Sequence, residues 1–506
     1  MFSYILIVLI SIISLWTLGY HSKKSLHILQ LEGYKSNQYK QWISDNKSRA
    51  FNPVAKSGEI KKPLVMTDRA KRLFSMIMGI NGLLMAAFLT VFILITGSPI
   101  LYGVLLVFFV ACIGILYIVQ PYITMIANIL MEPVEKNINN GFYRSAQKKV
   151  QQYEDLIVVG ITGSFGKTST KFISNAIAGG AFNSRTTPSS YNTPMGISKV
   201  INNEVLPEDE VFIVEMGARN PGDIKELCQL VHPSIGVLTS IGPTHLETFK
   251  NIETIMKTKY ELIESLPVDG VGIFNYDNEY VKKLADKTAK KKMLYGLNYS
   301  EKLDLYADDI EVYELGTSFT IYEKNGNSVK CTTKLLGKHN ISNILAGACV
   351  GKALGMSLEQ IANIIPSIEP IEHRLNIINP GTGIIIIDDA FNSNPVGAKA
   401  ALETLGQFNS GKRIIVTPGM VELGEDEYKE NYIFGQEISK VCDVAILVGE
   451  KRTQPIREGL LKMGFPEKSL IVVNSLNEAS DKIAELAVPG DVILFENDLP
   501  DTYSEV

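Results

Sequence analysis

Three stretches of the chain carry no charged side chain: residues 2 to about 20, 74–96 and 99 to about 122. At 1.5 Å of helix rise per residue, about 20 residues cross the roughly 30 Å of hydrocarbon in a bilayer. Lipid offers no partners for backbone N–H and C=O groups, so a run placed there has to be helical. The expectation is therefore three transmembrane helices within residues 1–130. A cleaved signal peptide competes for the first run, but no Lys or Arg precedes it and no small-x-small cleavage site follows. A buried core helix competes for the other two, and their length argues against it.

Charge orients these helices. Residues 21–73 hold twelve Lys or Arg against four acids, whereas the link Thr96-Gly97-Ser98-Pro99 holds neither. Positive loops stay inside, which predicts a multi-pass cell-membrane protein whose basic loop and whole C-terminal part are cytoplasmic. The basic stretch, with Tyr34, Tyr39 and Trp42 interleaved, reads either as a surface lying on anionic lipid or simply as a topology signal. A net charge of −5 gives no reason to expect a nucleic-acid partner. The five cysteines are scattered without a CxxC pair, which fits free thiols in a reducing compartment, not a zinc site or disulfide framework.

After a polar, helical linker over 131–155 the pattern changes to α/β. Residues 156–161, Leu-Ile-Val-Val-Gly-Ile, read as a buried parallel strand, and they run into Thr162-Gly163-Ser164-Phe165-Gly166-Lys167-Thr168-Ser169 and a helix. Glycines let backbone wrap a phosphate, and the helix N-terminus turns its free N–H groups and positive dipole end towards it. Ile161 stands where the first glycine of the longest-known form of this loop belongs, so this is a shorter TGxxGKTS variant. Lys167 is expected on the β/γ-phosphates of ATP and Thr168 on Mg2+. A second strand, 211–214, ends in Glu215, a suitable place for another Mg2+-ordering carboxylate. A third, 235–239, leads to His245, a candidate metal ligand.

Eight blocks in order then resemble the Mur ligase family, ATP-dependent enzymes of peptidoglycan-precursor synthesis, and within it the branch that adds D-alanyl-D-alanine. They are TGSFGKTST, TTPSSYNTPMGI, VEMGARNPGDI, THLETFKNIETIMKTKYEL, GKHNISNILAGA, EHRL, IDDAFNSNPVGAKAAL and GMVELGE, spread over about two thirds of the chain. The resemblance implies a P-loop central domain at 156–370 with a parallel sheet, and a Rossmann-like α/β domain at 371–506 joined by a hinge near 371–374. It implies an acceptor carboxylate activated as an acyl phosphate and then joined to an amino acid or dipeptide. Thr162, Gly163, Ser164, Gly166, Lys167, Thr168 and Ser169 would hold the phosphates, with Arg374 as a second clamp. Thr168 and Glu215 would order one Mg2+; His245 and Lys259, carried as a carbamate, a second. Asn340 would meet adenine, and either Asp388 or Asp389 the ribose. The loop 186–192, with Thr187, Ser190 and Asn192, would receive the acceptor.

Two departures bear on substrate. A membrane region stands where relatives of soluble precursor synthesis bind a uridine nucleotide, so the acceptor is expected to be lipid-linked, a nucleotide sugar or a polymer precursor. The C-terminal end carries Glu496, Asp498 and Asp501 in place of a Lys-Gly-Ser-Arg-like ending. The competing functions are a folylpolyglutamate- or polyglutamate-type ligase and a nucleotide-binding membrane regulator without ligase chemistry. The presence of Glu215, His245 and Lys259 weighs against the regulator.

Overall fold

The computed structural model describes residues 2–51, 63–94, 99–189, 191–244, 246–313, 316–390, 393–408, 410–421 and 423–498. The chain divides into two compact units, one ending at Asn140 and the next beginning at Gly141.

The first unit is helical. Its long helices are Phe2–Leu31, Asp68–Leu94, Pro99–Ile118 and Gln120–Gln152, with a shorter one at Ser36–Asp45. Among the described residues one segment, Asp68–Val91, is by itself long and apolar enough to cross a membrane. Gly103–Ile118 qualifies only together with Gln120–Gln152, from which it is bent by 65°. Among the described residues this makes one candidate span, or two if the bent pair counts as one, against the three expected. The first run opens on side chains outside the described residues, and its helix continues to Leu31 through Lys23 and Lys24. The third ends at a bend, because the helix restarts at Gln120 and carries on through the polar stretch expected as a linker.

Part of the basic segment is folded into this unit. In Ser36–Asp45 the buried side chains are Tyr39 and Ile43, four apart on one face. Both join Leu26, Leu29, Leu73 and Ile77 in the unit's apolar core. Arg72 forks onto Glu135 with bonds of 2.7 and 2.8 Å, and Arg69 lies 4.1 Å over the Tyr34 ring. Arg69 and Arg72 are therefore committed locally.

The second unit holds two sheets. The larger has strand order β2-β3-β1-β4-β5-β6-β7-β8-β9, with β1 Ile157–Thr162, β2 Ser184–Thr186, β3 Val211–Glu215, β4 Ile235–Leu238, β5 Val271–Asn275, β6 Lys292–Gly296, β7 Leu305–Tyr313, β8 Gly316–Glu323 and β9 Ser328–Thr333. Its strands run parallel as far as β7 and antiparallel from there. Strands β8 and β9 form a hairpin that turns at Gly326 in a left-handed conformation; β7, with its polar outer face, extends it. The central strands β1, β3 and β4 are buried almost throughout, as continuous Val/Ile runs require.

The smaller sheet has order β10-β11-β15-β12-β13-β14, with β10 Asn376–Ile378, β11 Ile385–Asp389, β12 Arg413–Thr417, β13 Val444–Val448, β14 Leu470–Val473 and β15 Val492–Glu496. Strands β11 to β15 all run parallel. The three-residue β10 adds an antiparallel edge. Both sheets thus have the α/β character expected, and their loops carry the site.

Candidate active site

The phosphate loop joins β1 to the helix Lys167–Gly179. Gly166, at φ 77°, caps that helix in a left-handed turn that suits glycine. A Cβ on Gly163 would lie 2.0 Å from Thr239 Oγ1, so no larger residue fits without moving the loop after β4. That loop braces the phosphate loop. Ser164 N donates to Ser240 O at 2.7 Å, Ser164 Oγ to Gly242 O at 2.9 Å, and Phe165 N to Ser240 Oγ at 3.1 Å. The loop is pre-shaped, which limits the ordering cost of seating a phosphate. Lys167 Nζ curls onto Gly163 O at 2.9 Å and Ser164 O at 3.3 Å. Burial lowers its pKa, while Glu215 opposes the shift.

Next to Lys167, the Thr168 hydroxyl donates to Glu215 Oε2 at 2.9 Å. Asn192 Nδ2 donates to Glu215 Oε1 at 3.0 Å. Thr168 and Glu215, expected on Mg2+, and Asn192, expected in the acceptor loop, therefore form one hydrogen-bonded set. Lys259, on the helix Ile252–Ser265, is buried and lines the same cleft as Glu215, Thr168, Asn192 and Arg374. Burial, then the charge of Lys167, hold its amine well below the usual lysine range. Thr187 lies nearby with a buried hydroxyl that has no partner. Ser190 and His245 fall outside the described residues.

A second cleft runs along the other side of Lys167 and Arg374, lined also by Asn340, Asn343, Asp389 and Gly397. Asn340 donates to Leu336 O at 2.9 Å. Asn343, one turn on, lies 3.4 Å from Asn340 and accepts from Thr170 Oγ1 at 3.2 Å. Of the two candidate aspartates, Asp389 lines the cleft, whereas Asp388 accepts from His373 Nδ1 at 2.7 Å and from Ala390 N at 3.2 Å. Burial raises Asp389 to about 6, against the pull of Arg374. Burial likewise lowers Arg374. His373 and Leu375 on either side of Arg374 both have left-handed backbones, at φ 59° and 48°. Such conformations are uncommon for these residue types and mark the expected hinge as a strained connection.

The two clefts share Ser164, Lys167, Thr168 and Arg374. That junction, two cations beside a braced loop, is where a terminal phosphate can meet a second substrate. Among the described residues no three His, Cys, Asp or Glu side chains gather as a metal cluster. Thr168 and Glu215 nevertheless offer the hydroxyl and carboxylate oxygens that a hard cation takes. The lowered pKa of Lys259 suits that use, since an ammonium would oppose a cation there.

Several contributors were not expected. Thr239, Ser240 and Asn343 brace the loop, and His373 holds Asp388. Lys171 is fully buried beside Glu215. Asn343 and Lys171 had a faint signal in their spacing, three and four residues after Asn340 and Lys167 on the same helical faces.

Comparison with known proteins agrees with this layout. Residues 161–351 match the Mur ligase middle domain, and 373–496 match the Mur ligase, glutamate ligase domain. UDP-N-acetylmuramoyl-tripeptide–D-alanyl-D-alanine ligase of Bacillus subtilis is 30% identical over 341 residues, covering 67% of this chain and 72% of that protein. Its Escherichia coli counterpart is 30% identical over 336 residues, covering 66% and 71%. The crystal structure of MurF ligase from Thermotoga maritima in complex with ADP superposes with a TM-score of 0.64 at 25% identity, covering 72% of this chain and 81% of that one. With the phosphate loop, Glu215, Lys259 and Arg374 gathered around one junction, the chain belongs to the Mur ligase family of ATP-dependent acid–amino-acid ligases.

Proposed function

We propose that the chain is a membrane-anchored, MurF-like ligase that joins a dipeptide or amino acid to a carboxylate-bearing cell-wall precursor at the cytoplasmic face. The observation that carries the reading is the junction of the two clefts at Lys167, Thr168 and Arg374. ATP lies in the cleft of Asn340 and Asp389, with the adenine at Asn340 and the ribose at Asp389. Its γ-phosphate reaches Lys167 and Arg374. The acceptor enters from the side of Asn192, Glu215 and Lys259.

An acceptor carboxylate oxygen attacks the γ-phosphorus, the bond to the bridging oxygen breaks, and ADP leaves an acyl phosphate. A neutral amine then attacks the acyl carbon, phosphate departs and the nitrogen loses a proton. Both steps gather negative charge, which Lys167 and Arg374 offset from fixed positions. Mg2+, held by Thr168, Glu215, His245 and a carbamate on Lys259, would neutralise phosphate charge when bound. The carbamate forms when the neutral Lys259 nitrogen adds to CO2 and releases a proton.

Anchoring rests on the outward side chains of the first unit. Leu83, Val91, Leu94, Val104, Val107 and Ile115 are all exposed. Bare apolar side chains in such number on long helices fit a hydrocarbon surround. Phosphate release from purified protein tests the chemistry, with ATP, Mg2+, UDP-N-acetylmuramoyl tripeptide or its lipid-linked form, and D-alanyl-D-alanine or single amino acids. Release that requires both an acceptor and an amine is expected. If no pair stimulates it while ATP still binds, the ligase reading fails.

A further inference from the structure

Lys171 is a cation without any solvent exposure in the middle of the phosphate helix. Its Nζ donates to Thr187 O at 2.6 Å and to Ser189 O by a shorter bond. It also lies 3.8 Å from Glu215 Oε2 and 4.2 Å over the Phe172 ring. An ammonium has three N–H donors, and two carbonyls and one carboxylate are what surround this one. Those carbonyls belong to the loop between β2 and the helix Pro194–Asn203, where Ser189 has a left-handed backbone at φ 46°. The other end of the loop is tied to the same carboxylate: Asn192 Nδ2 reaches Glu215 Oε1 at 3.0 Å, and Asn192 O accepts from Gly217 N at 3.0 Å. Glu215 is thus the knot at which both ends of one loop meet, and Lys171 is the strap across it.

We infer that Lys171 is a positioning residue that holds the stretch from Thr187 to Ser189 against the phosphate helix, so that the acceptor is received in register with Glu215 and the γ-phosphate. This rests on the reading of that loop as the acceptor site. Lys171 does not line the nucleotide cleft, whose walls include Lys167, Thr168 and Ser169 from the same helix. Its loss therefore separates acceptor handling from nucleotide binding. A hydrophobic residue in its place would leave the Thr187 and Ser189 carbonyls without this donor, whereas Glu215 keeps Thr168 and Asn192.

The test compares the full-length protein with Lys171→Met and with Lys171→Gln, which retains two donors and serves where the Met variant does not fold. Hydrogen exchange across 186–193 and at Gly217 is expected to quicken about tenfold in the Met variant and less in the Gln variant, in line with the loss of charge-assisted bonds. Affinity for ADP with Mg2+ is expected to stay within about twofold. With UDP-N-acetylmuramoyl tripeptide as acceptor, KM for the acceptor should rise about tenfold while kcat falls far less, the split that loss of binding-stage positioning produces. Exchange at 186–193 equal to wild type in the variant that folds overturns the strap. So does quickened exchange spread along the whole phosphate helix with nucleotide affinity lost, since that is a purely structural role. If the loop loosens as expected but wild-type protein turns over no acceptor, the strap stands and the proposed function fails.

Discussion

Thr168 and Glu215 are 47 positions apart, yet the hydroxyl of one donates to the carboxylate of the other at 2.9 Å. The contact exists because β1 and β3 are neighbours in register, Ile161 beside Glu215, so the helix starting after β1 begins over the end of β3. Strand order thereby delivers a hydroxyl and a carboxylate to the edge of a phosphate loop.

That pairing makes Thr168→Val a selective lesion. Valine keeps the volume and branch but removes the hydroxyl, and Glu215 retains Asn192 as a donor. Turnover is expected to fall about 10²–10³-fold, the size of effect that loss of one fixed polar group at the reacting phosphate produces. The thermal midpoint should change little. Phosphate release and calorimetry on the same sample check both, and turnover above half of wild type would remove Thr168 from the reaction.

Lys259 should make the enzyme depend on dissolved CO2. Burial and the neighbouring Lys167 charge lower its pKa well below that of a free lysine, so neutral amine is present at pH values where an exposed lysine is almost wholly ammonium. Only the neutral amine adds to CO2. Turnover in CO2-stripped buffer at pH 7.5 is expected to decline and to return on adding bicarbonate. Lys259→Ala should lose this response and recover part of its rate with added acetate or a similar short carboxylate. Indifference of the wild type to bicarbonate would be false to this assignment.

How far the sequence alone reaches can be judged from particular residues. The phosphate loop was legible because its chemistry is local: strand, glycines, Gly166-Lys167-Thr168 and helix follow one another. Glu215 and Arg374 were legible through ordered motifs, and the parallel strands through continuous Val/Ile runs. Lys171 had only its spacing from Lys167 to mark it, since a lysine on a helix ordinarily faces water and its partners, such as the Thr187 carbonyl, are brought to it by the fold. The distinction of Asp388 from Asp389 was not legible, because adjacent strand residues point to opposite faces and sequence does not say which face meets the cleft. The packing of the basic loop was hidden for a related reason. Tyr39 and Ile43 sit among charges, and their burial depends on helices far along the chain. In the third apolar run, composition was continuous across a bend at Gln120 that hydropathy does not register.

Glu496 gives a pH signature. It ends β15 beside Asp389, its register partner on β11, and accepts from Thr417 Oγ1 at 2.8 Å and from Ser393 Oγ. Burial raises it from 4.5 to about 7, the two hydroxyls only partly offsetting the effect. A carboxyl raised on folding binds its proton more tightly in the native state. Its stabilising contribution is therefore whole below the unfolded value near 4.5 and is lost as pH rises through about 7. Glu496→Gln, which mimics the protonated form, should raise the melting temperature at pH 8, with an underlying gain on the order of 3 kcal/mol at about 1.36 kcal/mol per pKa unit. At pH 5 the gain should shrink several-fold. Equal shifts at both pH values would mean that Glu496 is not protonated on folding.

The membrane reading can be tested without any substrate. Leu83 and Val107 are 74% and 70% exposed, and each lies well inside its helix, Asp68–Leu94 or Pro99–Ile118. In water these two side chains cost little when replaced by Arg, because nothing packs over them. In hydrocarbon each replacement costs about 2.5–3.5 kcal/mol near the centre of a span, since the guanidinium must stay charged or drag water with it. The double variant Leu83→Arg with Val107→Arg is therefore expected to leave the membrane fraction or be degraded, while Tyr428→Arg, on a 55% exposed tyrosine of the second unit, fractionates as wild type. Carbonate-resistant pelleting of the expressed full chain separates the cases. If wild type and double variant partition alike, the exposed belt faces something other than lipid, and the anchor is lost while the ATP site is untouched.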